Sequence, residues 1–178
     1  VEWTILNREK KVIATHKSAN TTFAPNEKVT VKSNLNIPNT QLWDTEHPYL
    51  YTLTTKIISN GKTTDLIHTR FGVRTFSYQP DGFYLNGKKM KIKGVCVHQD
   101  HAGVGTALLD ELQYYRIGLL KAMGANAYRT AHHPHSPAVL QACDSLGLLV
   151  MDETRLLNSG REYRQQFEDL IKRDRNHA

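Results

Sequence analysis

The stretch Asn126–Glu153, NAYRTAHHPHSPAVLQACDSLGLLVMDE, decides the fold because it places a helical pattern between two short apolar runs. Its first run, NAYRTA, and its last, LLVMDE, have the length and composition of strands. Ser136-Pro137 predicts the start of the helix, since serine is a favoured N-cap residue and proline fits the first turn. We expect Gly147 to end this helix, and its buried side to consist of Val139, Leu140, Cys143 and Leu146.

The same alternation continues on both sides of this stretch. MKIKGVCV, at residues 90–97, predicts a strand, and from Asp110 a helical stripe runs through Leu112, Tyr115, Leu119 and Met123. Ser159 and Glu162 have the spacing of a capping box, which predicts a third helix with an inner side made of Tyr163, Phe167, Leu170 and Ile171. Strands that alternate with helices in this way require a parallel sheet.

Residues 1–78 follow a period of two instead. Apolar side chains alternate with polar ones at Val29, Val31, Leu35 and Ile37, and again at Tyr51, Leu53 and Ile57. This alternation is typical of strands with one face on a core and one in water. Asn60-Gly61 and Asn86-Gly87 each follow such a run, so both pairs predict hairpin turns. We therefore expect a small β-sandwich at residues 1–78, ahead of the βα repeats at residues 79–178.

Composition describes an ordinary globular chain, with 39% hydrophobic and 22% charged residues among 178. The net charge is +6, but residues 1–78 carry 10 basic and 6 acidic groups and residues 79–178 carry 13 and 11. The excess is spread thinly, so no nucleic-acid partner is expected. No run is as long as a membrane span and VEWTILNREK is not a signal peptide, so no membrane partner is expected either. Because the chain starts at Val1, we expect it to be cut from a larger protein.

Polar side chains lie where each predicted parallel strand ends. His98 follows the first strand, Arg129 and His132 lie at the end of the second, and Asp152 and Glu153 at the end of the third. In open α/β sheets and in (β/α)₈ barrels, ligands bind at the carboxyl ends of the strands. These five residues are therefore the predicted substrate-binding residues.

A metal site is one alternative for the histidines. Enough imidazole nitrogens for zinc are present at His98, His101, His132, His133 and His135. However, His132 and His133 are adjacent, so in extended structure they point to opposite faces. The spacings of a typical zinc site are missing, and Cys96 and Cys143 are expected to be small buried residues. We expect neither a metal nor another cofactor.

Acid–base catalysis is a second alternative. Glycoside hydrolysis needs two carboxyl groups, roughly 5–5.5 Å apart in retaining enzymes. Asp152 and Glu153 cannot supply that pair, because neighbours in a strand alternate sides. At most one of them lines the pocket, so the carboxylate pair that such catalysis needs is incomplete here.

Recognition of a sugar is the third alternative and the favoured one. A neutral imidazole offers one donor and one acceptor, which matches the mixed character of a hydroxyl group. His98 and His132, on neighbouring strand ends, are the central residues of this hypothesis. The remaining histidines are expected to be surface residues: His16, His47, His68 and His177.

Six motifs in a fixed order carry a family resemblance. They are FGVR at 71–74, GFYLNG at 82–87, KGVCVH at 93–98, NAYRTAHHP at 126–134, CDSLGLLVMDE at 143–153 and RDRNH at 173–177. LWDTEHPYLYTL, at residues 42–53, adds a run that resembles the sandwich domain of the same family. Together they resemble glycoside hydrolase family 2, the β-galactosidase/β-glucuronidase family.

The resemblance implies an α+β multi-domain chain, with an immunoglobulin-like β-sandwich followed by about three βα units of an incomplete (β/α)₈ barrel. It implies a retaining β-glycosidase that forms a covalent glycosyl-enzyme. The sugar-contacting histidines of the family motifs correspond to His98 and His132, and Arg129 is expected to support its strand end. The acid/base and nucleophile glutamates of the family follow on later strands, so this fragment is expected to be inactive.

The departures from the family pattern qualify what the resemblance implies. Cys96 replaces an asparagine, His133 replaces a tyrosine, and residues 154–158, TRLLN, replace a metal-binding E-T-H-G found in some members. A magnesium site is therefore not expected. A β-galactoside is favoured over a β-glucuronide or β-mannoside as the substrate. The alternative function is a non-catalytic carbohydrate-binding or scaffold module, and the open edge of the barrel predicts self-association.

Overall fold

A computed structural model describes residues 1–156 and 158–178 as two compact units. The first unit is Val1–Gln41 with Leu50–Phe71, and the second is Leu42–Tyr49 with Gly72–Ala178. An antiparallel sheet forms the first unit and βα layers dominate the second, which confirms the predicted fold class. Among the described helices, none combines the length and the apolar character that crossing a membrane requires.

The first unit contains one four-stranded antiparallel sheet in the order β2-β1-β3-β4. Its strands are β1 (Glu2–Leu6), β2 (Val12–Lys17), β3 (Tyr51–Ser59) and β4 (Lys62–Phe71). Asn60 and Gly61 join β3 to β4 with φ of 50° and 74°. Positive φ at both central residues is what a tight hairpin turn requires, so this prediction is confirmed.

The prediction of a strand at residues 29–37 is wrong. This segment is described throughout and carries no ladder. Its side chains still alternate, with Val31, Leu35 and Ile37 half-buried and Lys32, Asn34 and Asn36 exposed. The period of two therefore predicts which side chains are partly buried. It does not predict a strand, because a strand also needs a hydrogen-bonded neighbour.

The second unit contains a three-stranded meander of β5 (Phe76–Gln79), β6 (Gly82–Leu85) and β7 (Lys88–Met90). The turn at Asn86-Gly87 confirms the second predicted hairpin, with φ of 52° and 75°. The single strand predicted at 90–97 is divided: Met90 ends β7, and only Gly94–Val97 form β8. Between them, the side chain of Asn126 bonds the carbonyl of Lys91 at 2.9 Å and the amide of Lys93 at 2.7 Å, so these backbone groups are satisfied without a strand partner.

Three parallel strands form the sheet that positions the predicted site. Its order is β10-β9-β8, with β9 at Ala127–Thr130 and β10 at Leu149–Met151. The helices are α1 (Asp110–Ala122), α2 (Pro137–Leu146) and α3 (Arg161–Asp174). The core contains Ile117, Ala125, Tyr128, Val139, Leu140, Ala142, Cys143 and Leu148. Because the strands are parallel, their carboxyl ends share one edge.

Helix α1 lies where it is predicted, but its inner face is wrong. Tyr115, Leu119 and Met123 are 62%, 52% and 69% exposed, whereas Gln113 and Ile117 are buried. The helix has a second apolar row, through Ile117 and Leu120, on a different side from the predicted one. Since both rows have helical spacing, periodicity alone could not select between them.

Helix α2 begins and ends as predicted, while α3 does not. Ser136 lies at the N-cap of α2, and Gly147 ends it with φ of 79°, where a Cβ atom would also collide with the carbonyl of Thr45. The predicted Ser159–Glu162 capping box is wrong, because Gly160 is the N-cap of α3. The inner face predicted for α3 is also only partly correct, since Leu170 is buried but Phe167 and Ile171 are exposed.

Residues 42–49 form part of the second unit although they precede β3 in the chain. Trp43 is fully buried there, and its Nε1 donates to the main-chain oxygen of Asp144 at 2.8 Å. The main chain of Trp43 is also bonded, through its amide to the oxygen of Val73 at 2.8 Å and through its oxygen to the side chain of Asn86 at 2.9 Å. This segment is therefore an integral part of the second unit.

Candidate functional site

Arg129 lies at the centre of the carboxyl-terminal edge of the parallel sheet. Its register partners are Cys96 on β8 and Met151 on β10. Val97 and Tyr128 pack on the side of the helices, so their neighbours Cys96 and Arg129 point to the opposite, open face of the sheet. One guanidinium can therefore reach both outer strands.

The guanidinium of Arg129 contacts a partner on each side. Its Nη2 pairs with Oε2 of Glu153 at 2.8 Å, and its Nη1 lies 3.5 Å from the sulfur of Cys96. The hydrogen bond to Cys96, followed by the charge of Glu153, raises the pKa of Arg129. The prediction that Cys96 is buried is therefore wrong; Cys143 is buried as expected. The signal that sequence reasoning missed is spacing, since Cys96 lies two residues before His98, which directly follows β8.

His132 connects this ion pair to the other predicted imidazole. Its Nδ1 lies 3.1 Å from Oε1 of Glu153 and 3.4 Å from Nη2 of Arg129. The rings of His132 and His98 meet edge to face, with centroids 5.4 Å apart and planes at 71°. Both imidazoles are exposed, so their remaining nitrogens are accessible to a ligand.

The segment after β8 is held by the helices behind it. The main-chain oxygen of His98 accepts a hydrogen bond from Arg116 of α1 at 2.9 Å. The side-chain oxygen of Gln99 accepts one from the amide of Ser136, at the start of α2, at 2.6 Å. These bonds fix the backbone from which the imidazole of His98 projects.

Asp152 turns to the other face of the sheet from Glu153. Its Oδ1 accepts a hydrogen bond at 2.8 Å from the hydroxyl of Thr130, which is fully buried. Burial, and then the hydrogen bond with Asp174, raises the pKa of Asp152. The structure thus brings together His98, Arg129, His132 and Glu153, and it separates Asp152 from them.

A second histidine cluster lies behind the edge. His135 is 1% exposed, and its Nδ1 is 2.8 Å from the hydroxyl of Tyr128. The ring of His133 lies 5.0 Å from that of His135, so His132 and His133 do point to different sides. Burial is the main cause that lowers the pKa of His135 to about 4. His135 is therefore a neutral, buried side chain that supports the edge from inside.

The described residues contain no group of three histidine, cysteine, aspartate or glutamate side chains placed to hold a metal ion. Leu157, within the stretch 154–158 that replaces the family's metal motif, lies outside the described residues. Of the histidines expected at the surface, His16, His47 and His68 are exposed. The prediction for His177 is wrong, because this side chain is half-buried with its Nδ1 2.6 Å from Oδ2 of Asp144.

Two family models match the chain, one after the other. The model described as "Glycosyl hydrolases family 2" matches residues 1–74. The model described as "Glycosyl hydrolases family 2, TIM barrel domain" matches residues 77–169, which is more than half of the chain.

Curated relatives match along much of the chain. A putative beta-glucuronidase of Formosa agariphila is 47% identical over 119 residues, which cover 66% of this chain and 14% of the relative. The beta-galactosidase BoGH2A of Bacteroides ovatus is 37% identical over 182 aligned positions, which cover 95% of this chain and 21% of the relative. The chain thus spans between about a seventh and a fifth of the length of these relatives.

Solved structures extend the likeness to the whole described fold. A family 2 glycosyl hydrolase from Bacteroides cellulosilyticus superimposes with a TM-score of 0.89 at 35% identity, covering 99% of this chain and 25% of that one. Beta-glucuronidase 3 of Bacteroides uniformis gives a TM-score of 0.83 at 32% identity, covering 99% and 22%. The chain therefore belongs to family 2 of the glycosyl hydrolases.

Proposed function

We propose that this chain forms part of a retaining β-glycosidase that hydrolyses the O-glycosidic bonds of β-galactosides. Residues 1–78 would be its sandwich domain and residues 79–178 the first part of its barrel. The observation that carries the proposal is the meeting of His98 and His132 beside the Arg129–Glu153 ion pair, at the carboxyl edge of a parallel sheet. Ligand sites of barrel enzymes lie at this edge.

The proposed role of the edge is to hold the hydroxyl groups of the sugar. A free nitrogen of a neutral imidazole can either accept a hydrogen bond from a sugar hydroxyl or donate one to it. Arg129 and Glu153 would orient the imidazole of His132 from the open face. Asp152, bonded to Thr130 on the opposite face, would fix the end of β10.

A neutral sugar suits the charges at this edge better than a glucuronide. Recognition of a uronate carboxylate calls for a cation, and Arg129 is already neutralised by Glu153 at 2.8 Å. The name of BoGH2A agrees with a galactoside, whereas the name of the Formosa relative would favour a glucuronide. The two substrates should therefore be assayed side by side.

The two catalytic carboxyl groups are proposed to come from further residues of a longer protein. A retaining mechanism needs a pair roughly 5–5.5 Å apart. Within residues 1–156 and 158–178, the acids at this edge do not supply it, because Glu153 is engaged by Arg129 and Asp152 faces the helices. We therefore propose that the 178 residues alone do not hydrolyse glycosides.

Self-association through the open edge of the sheet is part of the proposal for the isolated chain. Among the described strands, β8 and β10 each pair on one side only. A groove of about 220 Å³ runs beside β8 and is lined by Val97, Ile117, Leu119 and Leu120, among others. Unpaired strand edges and exposed apolar surface favour association with another chain.

The decisive experiment is an assay of aryl β-galactosides and aryl β-glucuronides with the longest protein that the gene encodes. We expect turnover of the galactoside, and His132→Ala should lower kcat/KM by roughly 10- to 100-fold through loss of a hydrogen bond. His68→Ala, an exposed histidine on β4, is the matched control and should change little. Absence of turnover on every aryl β-glycoside would refute the proposal. Calorimetry with galactose and the 178 residues covers the alternative, since a module that binds through its sandwich would bind galactose equally well in the His132→Ala protein.

A further inference from the structure

The Nδ1 atom of His132 lies between two groups that require opposite protonation states. Oε1 of Glu153, at 3.1 Å, can only accept a hydrogen bond, so this contact needs a proton on Nδ1. Nη2 of Arg129, at 3.4 Å, can only donate, so this contact needs a bare Nδ1. One tautomer of the neutral ring satisfies Glu153 and the other satisfies Arg129.

The contact with Glu153 is the stronger of the two. It is shorter, and its acceptor carries a full negative charge, which strengthens a hydrogen bond. The same Nη2 atom of Arg129 also lies 2.8 Å from Oε2 of Glu153, so the ion pair holds the guanidinium beside the carboxylate. The proton of neutral His132 therefore belongs on Nδ1, and Nε2 carries the lone pair.

The Nε2 atom of His132 is the accessible one. The side chain is 56% exposed, and no hydrogen bond from another described residue reaches Nε2. A bare imidazole nitrogen accepts hydrogen bonds but cannot donate them. Nε2 of His132 can therefore act only as a hydrogen-bond acceptor towards a ligand.

We propose that Glu153 is a positioning residue that fixes the tautomer of His132, so that Nε2 accepts a hydrogen bond from a sugar hydroxyl. Arg129 pairs with Glu153 through Nη2, and its Nη1 contacts the sulfur of Cys96 on β8. These two contacts fix the guanidinium and, through it, Glu153. A hydrogen bond at one ring nitrogen commonly sets the state of the other in this manner. The assignment of a sugar as ligand rests on the proposed function; the tautomer itself does not.

Nitrogen NMR of the imidazole rings tests the proposal on the 178-residue chain. In the wild-type protein at about pH 8.5, where an ordinary imidazole is neutral, Nδ1 of His132 should give the signal of a protonated nitrogen and Nε2 that of a bare one. The reverse pattern in the wild-type protein would overturn the proposal, and this result does not depend on any variant folding.

Glu153→Gln sharpens the test because it keeps the size of the side chain. The single amide oxygen is drawn to Arg129, which can only donate, so the amide NH₂ faces Nδ1 of His132 and donates to it. We expect the tautomer to reverse, with the proton moving to Nε2. Glu168→Gln, an exposed residue on α3 that pairs with Lys172, is the matched control and should leave the pattern unchanged. A Glu153→Gln protein that keeps the wild-type pattern would contradict the positioning role.

Addition of galactose separates this proposal from the function on which it rests. If the sugar binds as proposed, the Nε2 signal of His132 should shift while that of His68 stays in place. A protonated Nδ1 without any response to galactose would leave Glu153 as the positioning residue and remove the sugar as its ligand. A protonated Nε2 in the wild-type protein, even with a response to galactose, would refute the role of Glu153 alone.

Discussion

The indole nitrogen of Trp43 donates a hydrogen bond of 2.8 Å to the main-chain oxygen of Asp144, 101 positions later in the chain. The carboxylate of Asp144 is engaged as well, by Nδ1 of His177 at 2.6 Å and by the amide of Ala178 at 2.9 Å. Trp43 is fully buried and Asp144 is 4% exposed. Three distant parts of the sequence therefore meet at the end of α2.

Replacing Trp43 by phenylalanine should destabilise the protein by about 1–3 kcal/mol, because it leaves a buried carbonyl without its donor. Trp43→Ala should cost more, about 3–5 kcal/mol, since a large cavity is added. Both values are measured as the free energy of unfolding in urea, followed by circular dichroism. Trp3→Phe on β1, where the indole is only partly buried, is the control. Equal stabilities of the Trp43→Phe and wild-type proteins would contradict the importance of this hydrogen bond.

The ion pair between His177 and Asp144 should make stability depend on pH. The hydrogen bond to Asp144 raises the pKa of His177, so the folded state binds the proton more tightly than the unfolded state. The resulting stabilisation is complete below the unfolded pKa and is lost as the pH rises through the folded pKa. We expect His177→Gln to cost about 1–2 kcal/mol at about pH 5 and less at about pH 9. His47→Gln, which alters an exposed pair, is the control. A cost of His177→Gln that does not change with pH would contradict a stabilising charge on the imidazole of His177.

His135 should act in the opposite direction. Because burial lowers its pKa to about 4, the unfolded state binds the proton first, and stability falls as the pH drops from about 6.5 towards 4. The lowered pKa corresponds to about 3 kcal/mol of unfolding free energy lost on acidification, and His135→Asn should abolish this loss. Unfolding in urea at a series of pH values measures it, with the exposed His101→Asn as the control. An acid slope as steep in His135→Asn as in the wild-type protein would show that another group is responsible.

The isolated chain should associate with itself as its concentration rises. Leu119 is 52% exposed and lines the groove beside β8 together with Val97. Leu119→Lys should weaken association, because a charge is costly to bury in an apolar contact. Light scattering over a range of concentrations measures the mean mass, and Glu111→Lys, an exposed position of α1, is the control for added charge. A wild-type protein that stays monomeric at high concentration would refute the proposed association.

The order of strands and helices could be predicted because local signals agree with one another. At Asn60-Gly61, at Asn86-Gly87 and at Gly147, the residue type and the backbone conformation it permits coincide, and the structure has a turn or a helix end at each. Ser159 shows the limit of such signals. A serine three residues before a glutamate permits a capping box, but the helix starts after Gly160 instead.

Properties that depend on distant partners could not be predicted from spacing. His177 was expected at the surface because nothing in RDRNH indicates that Asp144 lies beside it. Cys96 was expected to be buried because its strand is apolar, whereas its exposure follows from the face of the sheet that it occupies. The two apolar rows of α1 present the same difficulty, since only tertiary packing decides which of them turns inward.

The candidate edge was predicted in outline but not in its connections. Parallel strands bring their carboxyl ends together, so the meeting of His98, Arg129, His132 and Glu153 follows from topology. Asp152 and Glu153 directly follow β10 and turn to different faces, as the alternation of neighbouring side chains in extended backbone predicts. The contact of Cys96 with Arg129 and the choice of tautomer at His132 depend on distances of a few tenths of an ångström, which sequence patterns do not contain.

Residues 42–49 lie in the second unit while residues 50–71 return to the first, so the polypeptide passes between units at positions 41–42, 49–50 and 71–72. A single genetic crossover can then not exchange the second unit alone, because one near residue 41 also carries residues 50–71 of the first unit. A chimaera joined near residue 75 would combine the Trp43 of one parent with the Asp144 surroundings of the other. We therefore expect such a chimaera to be less stable than either parent when the parents differ in the residues around Trp43 and Asp144.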